Sequence, residues 1–209
     1  DRAKQALVKL AMEPEWEAKF ELNSYGFRAG RAAHDAIEAI YKAIGRKAGG
    51  SFVLAADIKG CFDNIDHDAL LRKVNTYPRL RKIIKGWLKA GILDDGVFQK
   101  SDAGTPQGGV VSPLLANIAL DGMEEHVKDR LDEDLFQSTK ARVKRDGLPP
   151  QCGNRRDARN AMAIIRYADD FVVIHRDKDI VERAKEVSSD WLAEVGFELK
   201  PTKTRIAHP

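Results

Sequence analysis

Hydrophobic positions along the chain alternate between helical and strand-like spacing. Over Arg2 to Phe20, the residues Ala6, Leu7, Leu10 and Ala11 share one helical face, interrupted at Pro14. Ala33, Ile37, Ile40 and Ile44 mark a second helix that stops at Gly45. After Gly49-Gly50, the apolar run from Ser51 to Ile58 predicts a short buried strand. Asp66 is placed to cap a helix carrying Leu70, Leu71 and Val74, and Pro78 separates it from another that ends near Gly91. Ser112-Pro113 reads as an N-cap followed by Pro at the first helical position, opening a helix with Leu114, Leu115, Ile118, Ala119 and Met123 that ends before Asp134. Two apolar runs, Ile164 to Tyr167 and Phe171 to Ile174, flank Ala168-Asp169-Asp170 in the pattern of a hairpin. Ile180, Val181, Ala184, Val187, Trp191, Leu192 and Val195 return to helical spacing and stop at Gly196, with Phe197 placed for a Schellman contact. A last extended segment covers Phe197 to Leu199. This order fits an α+β protein, an antiparallel sheet with helices gathered on one face.

Composition narrows the class. With 43% hydrophobic and 32% charged residues over 209 positions, the chain can bury a core, and no apolar run approaches the roughly 18 residues a membrane crossing needs. Cys61 and Cys152 stand far apart without CxxC spacing, so neither a disulfide framework nor a zinc ribbon is readable, and a reducing compartment is expected. With no signal peptide and no initiator Met, Asp1 to Pro209 is expected to be an internal piece of a longer protein. The net charge of +3 decides little, but its distribution is informative. Between Ser138 and Asn160, seven basic residues (Lys140, Arg142, Lys144, Arg145, Arg155, Arg156, Arg159) face two acids, around the helix-breaking Gly147-Leu148-Pro149-Pro150. The stretch predicts a basic surface loop with helical ends, suited to phosphate contacts.

Three carboxylates are candidates for chemistry. Asp57 lies near the end of an apolar strand, where burial without a cation is costly, and Asp169 and Asp170 lie at the hairpin tip. Converging, they would bind two Mg²⁺ ions through oxygen and clamp a phosphoryl transfer. Each signal alone has a plainer reading, since Asp-Asp between strands suits a solvated turn and a strand-end Asp suits a cap or an ion pair. Gly104-Thr105-Pro106-Gln107-Gly108-Gly109, just before the Ser112-Pro113 helix start, can bring backbone and an amide close to a nucleotide, or be a plain loop.

Order and spacing together resemble a reverse transcriptase of the bacterial group II intron type. The segment from Asn23 to Ile37, with Phe27-Arg28-Ala29-Gly30-Arg31 and His34-Asp35-Ala36-Ile37, resembles the family's second block, with Ala29 where Pro is usual. Asp57-Ile58-Lys59-Gly60-Cys61-Phe62-Asp63 resembles motif A, and Gly104 to Pro113 motif B. Tyr167-Ala168-Asp169-Asp170 resembles motif C, and Gly196 to Thr204 motif D.

The resemblance implies a right-hand polymerase, with residues 1–50 part of largely helical fingers and 51–209 a palm with part of the fingers and a basic insertion at about 134–160. Primer grip, thumb and maturase domains are absent from this stretch, and the piece alone is expected to be inactive. By motif position, Asp57, Asp169 and Asp170 are implied metal ligands, with Ile58 in the metal- and substrate-binding sets. Phe62 is the implied ribose gate, Gln107 and Gly108 line the incoming nucleotide, Lys203 donates a proton to pyrophosphate, and Arg28 lies near the template. Without the resemblance, Phe62 reads as core, Gln107 as a loop hydrogen bond, and Arg28 and Lys203 as solvated charges.

The expected function is RNA-directed DNA polymerisation in intron mobility, joined to intron RNA binding in splicing. RNA template and primer, dNTPs and structured intron RNA are the expected partners, a homodimer stays open, and no membrane is involved. A dominant RNA-binding maturase role, or a related reverse transcriptase of defence or CRISPR adaptation, are the alternatives. The expected location is the bacterial cytoplasm, with the nucleoid or a ribonucleoprotein.

Overall fold

The computed structural model describes residues 2–45, 50–90, 92–94, 97–99, 103–105 and 109–208. Nine helices are described: α1 (Arg2–Glu17), α2 (Ala33–Gly45), α3 (His67–Val74), α4 (Pro78–Leu88), α5 (Ser112–Leu120), α6 (Met123–Arg130), α7 (Asp132–Arg145), α8 (Arg155–Ala161) and α9 (Lys178–Glu194). The strands are β1 (Phe52–Lys59), β2 (Ile92–Asp94), β3 (Val97–Gln99), β4 (Ala163–Tyr167), β5 (Asp170–His175), β6 (Glu198–Leu199) and β7 (Arg205–Ala207). β1 is central, with β5 on one side and both β6 and β7 on the other, and β4 pairs the far edge of β5. All these pairings are antiparallel, and β2 and β3 form a separate small hairpin.

The strand pleat sends alternate residues to opposite faces. Leu54, Ala56, Ile58, Ile164, Phe171 and Val173 join the main core, which includes Ile180, Val181, Ala184 and Leu192 of α9 and Leu115, Ile118 and Ala119 of α5. On the other face, Val53, Ile165, Val172 and Ile174 pack against Ala36, Ala39, Ile40, Ala43 and Ile44 of α2. The α+β class is as expected, but the helices are not confined to one face, because α2 covers the second. Its Ile37, expected to face inward, is 62% exposed, because the small side chains of Ala36, Ala39 and Ala43 make the close approach to the sheet.

Local signals resolve unevenly. Asp66 caps α3 as expected, its Oδ1 accepting from the Ala69 amide at 2.6 Å. Gly196 ends α9 with φ +86°, and the Phe197 amide donates to Leu192 O at 2.8 Å, as a Schellman turn requires. In α1 the buried face is Gln5, Met12 and Trp16, while Leu7 and Leu10 are 68% and 66% exposed. Gln5 decides this register, because its Oε1 accepts from the Val110 amide at 2.9 Å. Pro14 lies inside the helix without stopping it. The carbonyl it orphans belongs to exposed Leu10, where water can serve it.

Two further expectations change. Ser112 is the first residue of α5 rather than its cap, with Val111 in the cap position and Ser112 buried. The single helix expected beyond it breaks at Gly122, whose φ of +88° favours glycine, and resumes as α6 and α7. The basic stretch is largely helical, in α7, a 3-10 turn over Pro150–Gly153 and α8, with Gly147 (φ +64°) between them.

Candidate active site

Antiparallel pairing of β1 with β5 sets Asp57 directly opposite Asp170. The turn preceding Asp170 puts Ala168 in the left-handed region (φ +55°), and the Asp169 carbonyl accepts from the Ile58 amide at 3.0 Å. The pleat that buries Ala56 and Ile58 in the main core turns Asp57 and Asp170 to the α2 side, beyond the residues α2 covers. Lys203 comes from the far edge. β6 pairs with Ile58 and Lys59 and β7 with Val53 to Ala55, so the connection between them passes Asp57. There the Lys200 amide donates to Asp57 O at 2.8 Å, and Lys203 Nζ reaches Asp57 Oδ2 at 2.5 Å. A cleft of about 430 Å³ opens beside them, lined by Asp57, Asp170, Tyr167, Ile40, Thr202 and Lys203.

The electrostatics are those of crowded carboxylates. Burial raises the Asp170 pKa, Asp169 and Asp57 raise it further, and Lys203 opposes them. Lys203 is driven the other way, its pKa raised by its hydrogen bond to Asp57 and by that carboxylate's charge. Among the described residues no three acidic, His or Cys side chains are already gathered as a metal site. Lys203 is the cation that Asp57 holds here, and the structure brings Asp57, Asp170 and Lys203 together with Asp169 next along the tip. Oxygen donors whose mutual repulsion a cation relieves fit a hard divalent ion. Ile58 could serve it only through its backbone, because its side chain is buried in the main core.

Phe62 is half-buried against the main core, its ring edge-on to Phe27 with centroids 5.9 Å apart. Its carbonyl accepts from the Thr105 amide at 2.6 Å, and a Cβ on Gly104 would meet the same oxygen at 2.7 Å, so the motif B approach is fastened to Phe62 by backbone. Gln107 and Gly108 lie outside the described residues.

Arg28, expected near the template, is turned inward and buried. Its guanidinium grips Glu17 at 2.7 to 3.1 Å and donates to the carbonyls of Glu21 and Ser24 at 2.9 and 2.7 Å. A cation this buried needs such pairing.

The basic stretch is also partly neutralised. Arg155 pairs with Asp132 and Glu133, and Arg159 with Glu125 and Asp129 at 2.6 and 2.7 Å, because α8 packs on α7 near the acidic start of α7 and the end of α6. Lys140 lies over the Phe136 ring at 4.2 Å, and Arg145 reaches Asp146 at 3.1 Å. Lys144 and Arg156 remain exposed, and Arg142 lines a second cavity.

A buried polar cluster on the main-core side had no sequence signal except charged residues among apolar ones. Burial foremost pushes the Glu21 carboxyl up to about 7, with Glu124 and Asp121 adding repulsion, and burial lowers Lys73 to about 8. Glu21 therefore favours its protonated form in the fold, and the stability this gives below pH 4.5 is lost as pH rises to about 7. Glu21→Gln is expected to remove that part of the decline, on the order of 2 kcal/mol for a partly screened group. Urea unfolding at pH 5 and pH 7.5 measures it, and parallel losses in parent and variant would mean that Glu21 is ionised throughout.

Paired acids on a central strand and a hairpin tip thus meet a cation from the neighbouring edge. The chain belongs to the reverse transcriptase (RNA-dependent DNA polymerase) family, whose model matches residues 1–209. It is 33% identical to protein YkfC of Escherichia coli K12 over all of this chain and 57% of that protein. It is 32% identical to the group II intron-encoded protein LtrA of Lactococcus lactis, over all of this chain and 41% of LtrA. The chain thus spans about half the length of these relatives. Its fold resembles Candida tropicalis telomerase in complex with a fragment of telomeric RNA, with a TM-score of 0.62 at 14% identity, covering 96% of this chain and 33% of that one.

Proposed function

We propose that this chain is the catalytic core of an RNA-directed DNA polymerase of the group II intron type, with residues 51–209 as palm and 1–50 as part of the fingers. The observation that carries this reading is the register that sets Asp57 across from Asp170, with Asp169 at the tip and Lys203 on Asp57. In the reaction, a primer 3′-hydroxyl attacks the α-phosphate of a dNTP and pyrophosphate leaves. Asp57, Asp169 and Asp170 would hold divalent ions, which when bound stabilise the charge that develops on the attacking and leaving oxygens. Lys203, protonated beside Asp57, would supply a proton to the departing pyrophosphate. Phe62 borders the sugar, and the motif B approach, tied to Phe62 by backbone, would shape the nucleotide's other side.

The test is template dependence. The full-length protein, given a DNA primer on an RNA template with Mg²⁺, is expected to add the complementary dNTP, and changing one template base should change the nucleotide added. Addition indifferent to the template would overturn the reading.

RNA binding is the second part of the proposal, on a surface that differs from the whole basic stretch. At the far end of the sheet, about 17 Å from Asp57 along β1, a groove of about 1190 Å³ is lined by Lys42, Arg142, Arg145, Arg176 and Lys178 as well as three aspartates. The Nε atoms of Arg142 and Arg176 are buried without a hydrogen-bond partner. RNA phosphates are suited to pair with the guanidinium charges that line the groove. Arg142→Gln with Arg176→Gln is expected to reduce the slope of log affinity against log salt by about 1.4 to 1.8, whereas Arg155→Gln with Arg159→Gln should leave it nearly unchanged. The reverse pattern would return RNA contact to α8.

A further inference from the structure

Arg166 is a charged residue in the strand that leads to the hairpin tip, and it points into the main core. It is 2% exposed. Glu21 and Asp121 act on it by charge without forming an ion pair with it, and its Nε is buried without a partner. A guanidinium buried on those terms is costly, and packing alone would be served better by an apolar side chain. Its contacts therefore matter.

Arg166 touches three segments that meet at the tip. Nη2 donates to Ser24 Oγ at 2.7 Å, and Nη1 donates to Asn117 Oδ1 at 3.0 Å and to Ala168 O at 3.1 Å. Asn117, buried on α5, donates from Nδ2 to Gly26 O at 2.8 Å. The backbone closes the same ring, for the Arg166 amide donates to Asn23 O and its carbonyl accepts from the Tyr25 amide, both at 2.8 Å. Gly26 then lies flat on the turn, since a Cβ there would stand 2.2 Å from the Ala168 nitrogen. Ala168 is the residue held in the left-handed conformation immediately before Asp169.

Resting on the polymerase reading above, we propose that Arg166 and Asn117 form a buried latch that clamps the 23–26 loop and α5 onto the Ala168 turn, and so position Asp169 and Asp170 for metal binding. Both act through the turn and are positioning residues. The latch joins the second block, the helix that follows motif B, and motif C, so the geometry of the acids depends on elements distant in the chain. The three hydrogen bonds of Arg166 over-determine a turn that a non-glycine residue adopts reluctantly.

The test uses the full-length protein and Asn117→Ala, with Ser24→Ala as a milder variant that deletes one hydrogen bond. Three readouts are taken on each: amide hydrogen exchange of the segment spanning Ala163 to Val172, Mn²⁺ affinity by electron paramagnetic resonance, and the Mg²⁺ concentration giving half-maximal primer extension. Asn117→Ala is expected to speed exchange at the tip about tenfold or more, to weaken Mn²⁺ binding several-fold and to raise the Mg²⁺ requirement by a similar factor, with kcat falling and RNA affinity held. Ser24→Ala should move all three less, in the same direction. Parent-like exchange and metal affinity in a folded variant would overturn the latch. If Asn117→Ala does not fold, Ser24→Ala decides on the same readouts. If the variants show the exchange difference and the parent binds Mn²⁺ but extends no primer, the result would instead count against the polymerase reading.

Discussion

Asp57→Asn is expected to lower RNA-templated nucleotide addition by at least about a thousandfold while leaving RNA affinity and folding close to those of the parent. The substitution keeps size and shape but removes the charge, and the loss of several kcal/mol of charge stabilisation at the reacting phosphate corresponds to about three decades in rate. Folding should tolerate it for a specific reason. Asp57 is 7% exposed and stands opposite Asp170, whose own pKa is raised partly by Asp57, so removing one charge relieves repulsion as it removes the contact with Lys203. The Lys203 side chain is half-exposed and can return to water. Single-turnover addition beside an RNA-binding titration checks both halves. A rate within tenfold of the parent would take Asp57 out of the reaction, and a parallel loss of binding would point to a folding defect.

Phe62→Val should raise ribonucleotide incorporation relative to dNTPs by at least about tenfold, and Phe62→Ala by more. A 2′-hydroxyl pressed against the ring would be crowded and stripped of a hydrogen-bond partner, which costs a few kcal/mol, at about 1.4 kcal/mol per factor of ten. The ring cannot easily yield. It abuts the core on one side and Phe27 on the other, and its backbone is tied to Thr105. Phe27 is itself in the left-handed region with φ +58°, so the pair is held in place by the loop and not by favourable local conformation. Mixed nucleotide pools in a primer extension give the ratio directly. Val is the cleaner variant because it leaves a smaller cavity. Discrimination equal to the parent's would make Phe62 a packing residue.

Elements fixed by near neighbours were legible in the sequence. The β4-β5 hairpin, the Asp66 cap and the Gly196 stop depend on residues within a few positions of one another, and the structure has all three. What the sequence hid depends on distant partners. The buried face of α1 follows from Gln5 meeting Val110, and the inward turn of Arg28 follows from Glu17 lying beneath it. The charge of the basic stretch misled because the acids that neutralise Arg155 and Arg159 lie in α6 and at the start of α7, outside the stretch itself. For the candidate site, the resemblance of its motifs singled out Asp57, Asp169 and Asp170. It could not give the strand register that sets Asp57 and Asp170 side by side, nor the paired edge strands that carry Lys203 to Asp57. β7 escaped notice because three residues are too few for a period to show.

The most direct measurement of the central claim is pyrophosphate release by the full-length protein bound to an RNA template and a DNA primer, with Mg²⁺ and the single complementary dNTP. One pyrophosphate per primer extended by one nucleotide is the expected result, with none from Asp57→Asn under the same conditions. RNA held tightly, with neither extension nor pyrophosphate under Mg²⁺ or Mn²⁺, would contradict it and leave an RNA-binding protein on a polymerase fold.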